Sequence, residues 1–477
     1  VAFAALALYL ANGDLLVGND AKPSTFLAAK LLVRGELTFT PEAEPFLFHW
    51  GLRSAQGVRP ETVEDWEQTI DGRSAAEQAA AGRLVLLQPK YYLAPSTQAG
   101  RYVSFYGPGP ALAALPVYAL RSALHGNLLE QPRRLWFTAK LAAALYVAAS
   151  VALVFATARA LAGRGPALLA AASYGVGTCV WSTSSQALWQ HGPAAFFVAL
   201  GMYFLQRTRE QPGCAAGCGL SLSAAVACRP TIAILVLAVG LYFLLEQRRA
   251  LWRYVVSGLP VAVLLGAYNW VHLGSAFRVA QSMQSAFTRT FSGSDDAWQT
   301  PFWTGFTGLL VSPSRGLLVY SPFLAAAAWG AWRSARDPRY GFLRPAALAC
   351  GATIVVLSRF HGWWGGWSFG YRELVDLAPL LALLTVPVIP AILRSPWRTS
   401  LFALAVAWSV GVQVLGAFAY NVVDWNSLGG RNVDLAEHRA RLWSVRDSQL
   451  VYYTVNFARA RERKKELAED WIAHPGR

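Results

Sequence analysis

The sequence predicts an all-α polytopic membrane protein, a bundle of about 11–12 transmembrane helices with a long first extracytoplasmic loop carrying juxtamembrane helices. Three observations predict it. Hydrophobic residues make up 55% of the 477 and charged residues only 14%, a balance far from that of a soluble domain. Apolar runs long enough to span a bilayer recur along the chain. Lys and Arg gather in the short segments between those runs, where membrane topology uses positive charge. The formal net charge of +15 follows from that pattern and calls for no nucleic acid.

In chain order, VAFAALALY at 1–9 is too short to span and reads as the last part of a first transmembrane helix. A polar stretch follows over 10–104. Within it, GNDAKPSTFLAAKLLVRGE at 18–36 predicts an amphipathic helix on the membrane surface. Phe26, Leu27, Leu31 and Leu32 form one face, and Lys30 and Arg34 snorkel from the other. Apolar runs then fall at 106–124, 135–158, 166–184, 188–206, 214–228, 231–245, 254–272, 317–332, 345–358, 374–393 and 399–421. Residues 1–423 form the transmembrane domain and 424–477 a polar extracytoplasmic tail, in which ARARERKKELAEDW reads as a solvated helix.

Five short loops are basic: 158–165, 206–213, 246–253, 333–344 and 394–398. The positive-inside rule assigns all five to the cytoplasm, and neighbouring loops are separated by two runs each, so the assignments agree. Residues 184–192, Arg229-Pro230, 273–316 (with Arg278 and Arg289), 359–373 and the tail then share the opposite face with Asp20. One crossing is in excess before 158–165. The run at 106–124 contains three prolines, so it is read as re-entrant or broken.

That opposite face collects Trp181, Trp189, His191, Arg229, Arg315, Arg359, His361, Trp363, Trp364, Trp367, Arg372, Glu373 and Asp376. Ionisable groups at membrane depth are costly and tend to line a cavity or pathway, whereas Trp belts need no function. In WWGGWSFGYRE, Gly365 and Gly366 permit close backbone approach, the Trp rings suit a sugar or an isoprenoid chain, and Arg372 offers a planar fork to a phosphate. The alternative is an Arg372 paired with Glu373 or Asp376. Arg315, between two prolines at a helix mouth, suits an anion or a structural turn. His191 fits a base, a phosphate donor or a helix cap. Asp20 is either a helix N-cap ahead of Pro23 or a working acid, and Asp14 is a second acid six residues earlier. The five cysteines all fall in apolar runs and read as small core residues.

Taken together, GNDAKPSTFLAAKLLVRGELTF, VSFYGPGPALAALPVYA, VWSTSSQALWQHGPAAFF, ACRPT, LLVSPSRGLLVYSP, WWGGWSFGYRELVDLAPLLALL and HRARLWSVRDSQL resemble blocks of the GT-C glycosyltransferases, within them a bacterial protein-mannosyltransferase-like (glycosyltransferase family 39-like) branch. The resemblance covers most of the chain. It implies a GT-C-like bundle in the bacterial cytoplasmic (inner) membrane and an active site on the extracytoplasmic face. It also implies transfer of a sugar from a polyprenyl-phosphate carrier to a glycan, lipid or protein acceptor, without a cofactor. The family base is the Asp of the first extracytoplasmic loop, which is Asp20 here. Arg372 and Arg315 lead the candidates for the lipid phosphate, followed by Arg229, Lys22 and His191, with Trp189, Trp364 and Trp367 for sugar or isoprenoid. Protein mannosyltransferases carry an adjacent Asp-Glu pair, whereas Asn19 and Ala21 flank Asp20, which leaves the acceptor open. Glu36, Glu42 and Glu44 lack ligand-like spacing, so no metal is expected. A lipid-carrier glycan ligase and a transporter or flippase of lipid-linked sugars are the rival readings.

Overall fold

In a lipid environment each backbone N–H and C=O must be satisfied within its own segment, so the apolar runs fold as helices. The computed structural model describes residues 1–90, 92–283 and 297–474, and Arg289 lies outside them. Four helices among these are long and apolar enough to cross a membrane: Pro132–Ala162, Arg248–Leu273, Pro338–Leu357 and Pro396–Ala419. Shorter apolar helices, such as Cys214–Cys228 and Pro230–Glu246, pack between them. Several runs that read as continuous are interrupted. The run at 317–332 stops at Tyr320, turns through Pro322–Ala325 and resumes as Ala326–Arg336. The run at 374–393 divides into Ala378–Thr385 and Ile389–Leu393 around Pro387. Proline lacks an amide donor and clashes with the preceding turn, so each break falls where the ladder cannot continue.

The bundle has two chemically different ends. At one, the basic loops meet: Arg209 donates to Pro338 O at 2.7 Å, and Glu246 pairs with Arg344 at 2.7 Å. Arg333 donates to Pro387 O at 2.9 Å, and Arg398 lies over Trp329. At the other end, the start of helix His191–Arg207, the end of Cys214–Cys228 and the segment Arg372–Leu377 converge. The end of Arg248–Leu273 joins them through Thr97, whose amide donates to His272 O.

The run at 106–124 forms one unbroken helix, Gly109–His125, with Pro116 inside it. Gly109 rests on the outgoing end of Cys214–Cys228, so closely that a Cβ there would lie 2.1 Å from Ala227 O. Six residues after His125, helix Pro132–Ala162 begins and runs to the basic end. Both ends of Gly109–His125 therefore lie on the same side of the bundle, which removes the surplus crossing.

The first long loop is not purely helical. Phe48, Trp50 and Leu52 alternate along strand Phe48–Ser54, which pairs antiparallel with Gly57–Glu61 and Leu84–Pro89. The helix Lys22–Arg34 is present, but the surface-lying expectation is corrected. Residues 22–30 are buried throughout, because the loop covers one side and Gly109–His125 the other. Phe26 packs on Phe46 and edge-on to Trp136. Lys30 does not snorkel: it is 1% exposed and pairs with Glu44 at 2.7 Å and Glu36 at 3.1 Å. The tail helix Phe457–Ala473 is likewise only part-solvated, since Ala460, Lys464, Ala468 and Ile472 form a buried stripe at four-residue spacing. All five cysteines are unpaired, and four are buried.

The Gly109 contact gives a packing test. Gly109→Val should cost about 1–3 kcal/mol through overpacking, seen as a lower thermal unfolding midpoint in detergent. An unchanged midpoint would show that the helix is not held there.

Candidate functional site

The loop 362–372 organises the site. Gly365 and Gly366 both have left-handed φ, +75° and +62°, which residues with a Cβ rarely adopt. These two glycines serve the turn itself. Arg315 clamps that turn from behind. Its Nε donates to Trp364 O at 2.7 Å, Nη1 to Ser314 O at 2.9 Å, and Nη2 to Gly366 O at 3.0 Å and Asn426 Oδ1 at 3.2 Å. Each nitrogen of this buried guanidinium is thus committed to the protein. Below the turn, the Tyr371 hydroxyl meets Ser321 Oγ at 2.8 Å, fixing the residue before Arg372.

Arg372 Nη1 forms an ion pair with Asp20 Oδ2, joining residues 352 apart in sequence. Trp189 Nε1 donates to the other oxygen of Asp20 at 2.7 Å. Both members of the pair are 12% exposed. Asp20 is not the cap of helix Lys22–Arg34; the N-cap is Ala21 and no side-chain cap bond forms. Arg372 Nε is buried and has no hydrogen-bond partner among the described residues.

Beside this pair, Arg229 binds two carboxylates: Glu373 at 2.8 Å through Nη2, and Asp376 through Nε. His191 Nδ1 lies 3.0 Å from the other oxygen of Asp376. The acids Glu373 and Asp376, the alternative partners for Arg372, are thus held by Arg229. Three carboxylates and two guanidiniums make up the combined cluster. An added anion must therefore take donors away from a carboxylate already present.

Above the cluster opens a cleft of about 310 Å³. Tyr92, Phe105, Tyr106, Trp298, Phe360 and Trp364 form aromatic walls, while Arg229, Arg372, Glu373, Gln190 and Asp434 supply polar groups. Asp20 does not itself line the cleft but touches it through Arg372. Asp434 comes from the tail and accepts from Trp364 Nε1 at 2.8 Å. Burial raises its pKa, against the opposing Trp364 hydrogen bond and Arg315 charge.

Of the residues singled out in the sequence, Asp20, Trp189 and Arg372 are in direct contact, Arg229 and His191 form the adjoining network, and Trp364 lines the cleft. Three lie elsewhere. Arg315 is behind the turn; Trp367 donates to Asn432 Oδ1 at 3.0 Å and is not part of the cleft lining. Lys22 is fully buried, 5.6 Å from the Trp471 ring centroid. The sequence reading missed Tyr92, Tyr106, Gln190 and Asp434. Tyr106 and Gln190 lie within blocks already noted, but a Tyr or Gln beside so many aromatics carries no signal of its own.

No family model and no curated protein matches the chain. Among solved structures, it is similar to ArnT from Cupriavidus metallidurans bound to undecaprenyl phosphate. The identity is 15% and the TM-score 0.47, covering 99% of this chain and 73% of that one. It is also similar to the apo oligosaccharyltransferase of Archaeoglobus fulgidus, with 10% identity and a TM-score of 0.48, covering 94% of this chain and 60% of that one.

Burial lowers the Lys22 pKa from 10.5 to about 7, helped by the nearby Lys90 charge and opposed by Glu64. Between those values the unfolded chain keeps a proton that the folded chain has released. The penalty on folding is therefore full below about pH 7 and fades toward pH 10.5. Lys22→Met should raise the thermal midpoint at neutral pH, and the gap to wild type should shrink as pH rises through that window. A gap independent of pH would contradict the buried-ammonium account.

Proposed function

We propose that this protein transfers a sugar from a polyprenyl-phosphate carrier to an acceptor hydroxyl, on the extracytoplasmic face of a bacterial cytoplasmic membrane. The observation that carries the reading is the Asp20–Arg372 pair beneath an aromatic cleft, at the end of the bundle away from the basic loops. A base and a phosphate-binding group must lie side by side for a single displacement at an anomeric carbon, and here they touch. The resemblance of the sequence blocks supports the same chemistry.

In the reaction, the acceptor oxygen forms a bond to the anomeric carbon while its proton passes to Asp20. The bond from that carbon to the phosphate oxygen breaks, and its electron pair leaves with the phosphate. Arg372 stabilises the charge developing there, with Arg229 beside it; fixed donors in a dry site are usually the larger catalytic contribution. The aromatic walls hold sugar or isoprenoid. Two features of Arg372 give the order of events. It covers Asp20, and its Nε has no partner among the described residues. The donor phosphate therefore binds by taking Arg372 from Asp20, which uncovers the carboxylate and leaves it free to accept a proton. The base becomes competent only once a donor is present, which protects the carrier from loss of its sugar to water. The acceptor (glycan, lipid or protein) approaches Asp20 from the cleft.

The test is incubation of purified protein with a panel of radiolabelled polyprenyl-phosphate sugars. Wild type should turn over one of them. Asp20→Asn should reach the membrane intact and lose roughly 10²–10⁴-fold in transfer; full activity in that variant would reject the assignment. Arg372→Ala should weaken donor use more than acceptor use, and the reverse would move Arg372 off the phosphate.

A further inference from the structure

A second and larger cavity, about 870 Å³, lies apart from the aromatic cleft. Four segments build it: 12–15 after the first helix, Arg121 near the end of Gly109–His125, 131–134 with Phe137 at the start of Pro132–Ala162, and one face of the tail helix from Lys465 to Ile472. No residue lining it also lines the cleft.

Its chemistry favours an anion. Arg121, Arg133, Arg134 and Lys465 face two acids, Asp14 and Glu469. Glu469 is taken by Arg133 at 2.8 Å. Asp14 sits among further cations: Lys140 donates to its backbone carbonyl, and its charge bears on buried Lys464, whose ammonium burial pushes down to about 8. Arg121 lies over the Phe137 ring, and its buried Nε has no partner among the described residues. The acids are thus offset, and Arg121, Arg134 and Lys465 are left in excess.

Position identifies the ligand's other half. These cations sit at the end of the bundle that carries Asp20, where membrane proteins ordinarily avoid Lys and Arg. Leu120 and Leu124, beside Arg121 on the same helix, are 62% and 64% exposed. Phe137, which lines the cavity, is also exposed. An exposed apolar flank next to a cationic cavity matches an amphiphile with an anionic head. The volume lies within the roughly 300–1,000 Å³ of small-molecule sites. We propose that this cavity is a second anion site, holding the phosphate head group of a membrane lipid through Arg121 and Arg134, with the acyl chains lying along Leu120 and Leu124. The assignment rests on membrane embedding alone and stands or falls independently of the transfer reaction.

The test uses the full chain in nanodiscs of phosphatidylcholine alone or mixed with phosphatidylglycerol, with co-purifying lipid counted by native mass spectrometry. Wild type should retain phosphatidylglycerol, and the Arg121→Gln/Arg134→Gln double variant should retain it about tenfold less, the loss of one charge-assisted contact. If that variant fails to fold, Lys465→Gln, at an exposed position, should reduce retention in the same direction. Equal retention by wild type and variants would overturn the proposal. Inorganic phosphate displacing the lipid completely from wild type would overturn the lipid assignment in favour of a site for free phosphate. Arg372→Ala should retain the lipid like wild type, and loss in that variant would place the lipid in the cleft instead.

Discussion

The ion pair between Asp20 and Arg372 is the constraint around which the site is arranged. A carboxylate and a guanidinium at the edge of a membrane are each costly to desolvate alone, and pairing offsets much of that cost. The two residues come from opposite ends of the sequence, so the pair exists only when the first loop, the Trp189 segment and the 362–372 turn are all in place. Arg315 supplies that last condition by binding the carbonyls of Trp364 and Gly366. Its guanidinium holds the turn in shape, and the turn in turn aims Arg372.

The charge arrangement also explains why a resting site of this kind is quiet. Arg229 is saturated by Glu373 and Asp376, and Arg372 is engaged by Asp20. A carboxylate held by a guanidinium is a poor proton acceptor. An incoming phosphate competes for the same donors and is the species able to release Asp20. Binding and activation are then one event, and the second cavity, with its own offset acids and excess cations, is a separate place for anionic lipid.

Much of this was legible in the sequence, for identifiable reasons. Apolar runs became helices because lipid leaves the backbone no alternative, and the shared end of the basic loops followed from their charge. Asp20, Arg372, Arg229 and His191 could be named because an ionisable group near membrane depth needs an explanation. What stayed hidden depended on pairing across long separations. Nothing local says that Arg229 takes Glu373 and Asp376 and so leaves Arg372 to Asp20. Nothing local says that Arg315 binds carbonyls rather than an anion, or that Lys30 is covered by a loop bearing Glu44. The strand Phe48–Ser54 is different: its alternation of Phe48, Trp50 and Leu52 was on view, but lay inside a stretch read as polar loop. Asp434 reaches the cleft only because the tail folds back, tied by Gln449 to Ser368 O at 2.8 Å.

The account turns on competition between Asp20 and a phosphate for Arg372, and equilibrium binding of polyprenyl phosphate to the Asp20→Asn variant measures that competition directly. With the carboxylate neutralised, Arg372 is released in advance, so the variant should bind the lipid phosphate about tenfold more tightly than wild type, near 1.4 kcal/mol, and removal of Arg372 in the same background should abolish the gain. Unchanged or weaker binding by the Asp20→Asn variant would contradict the exchange and with it the central claim.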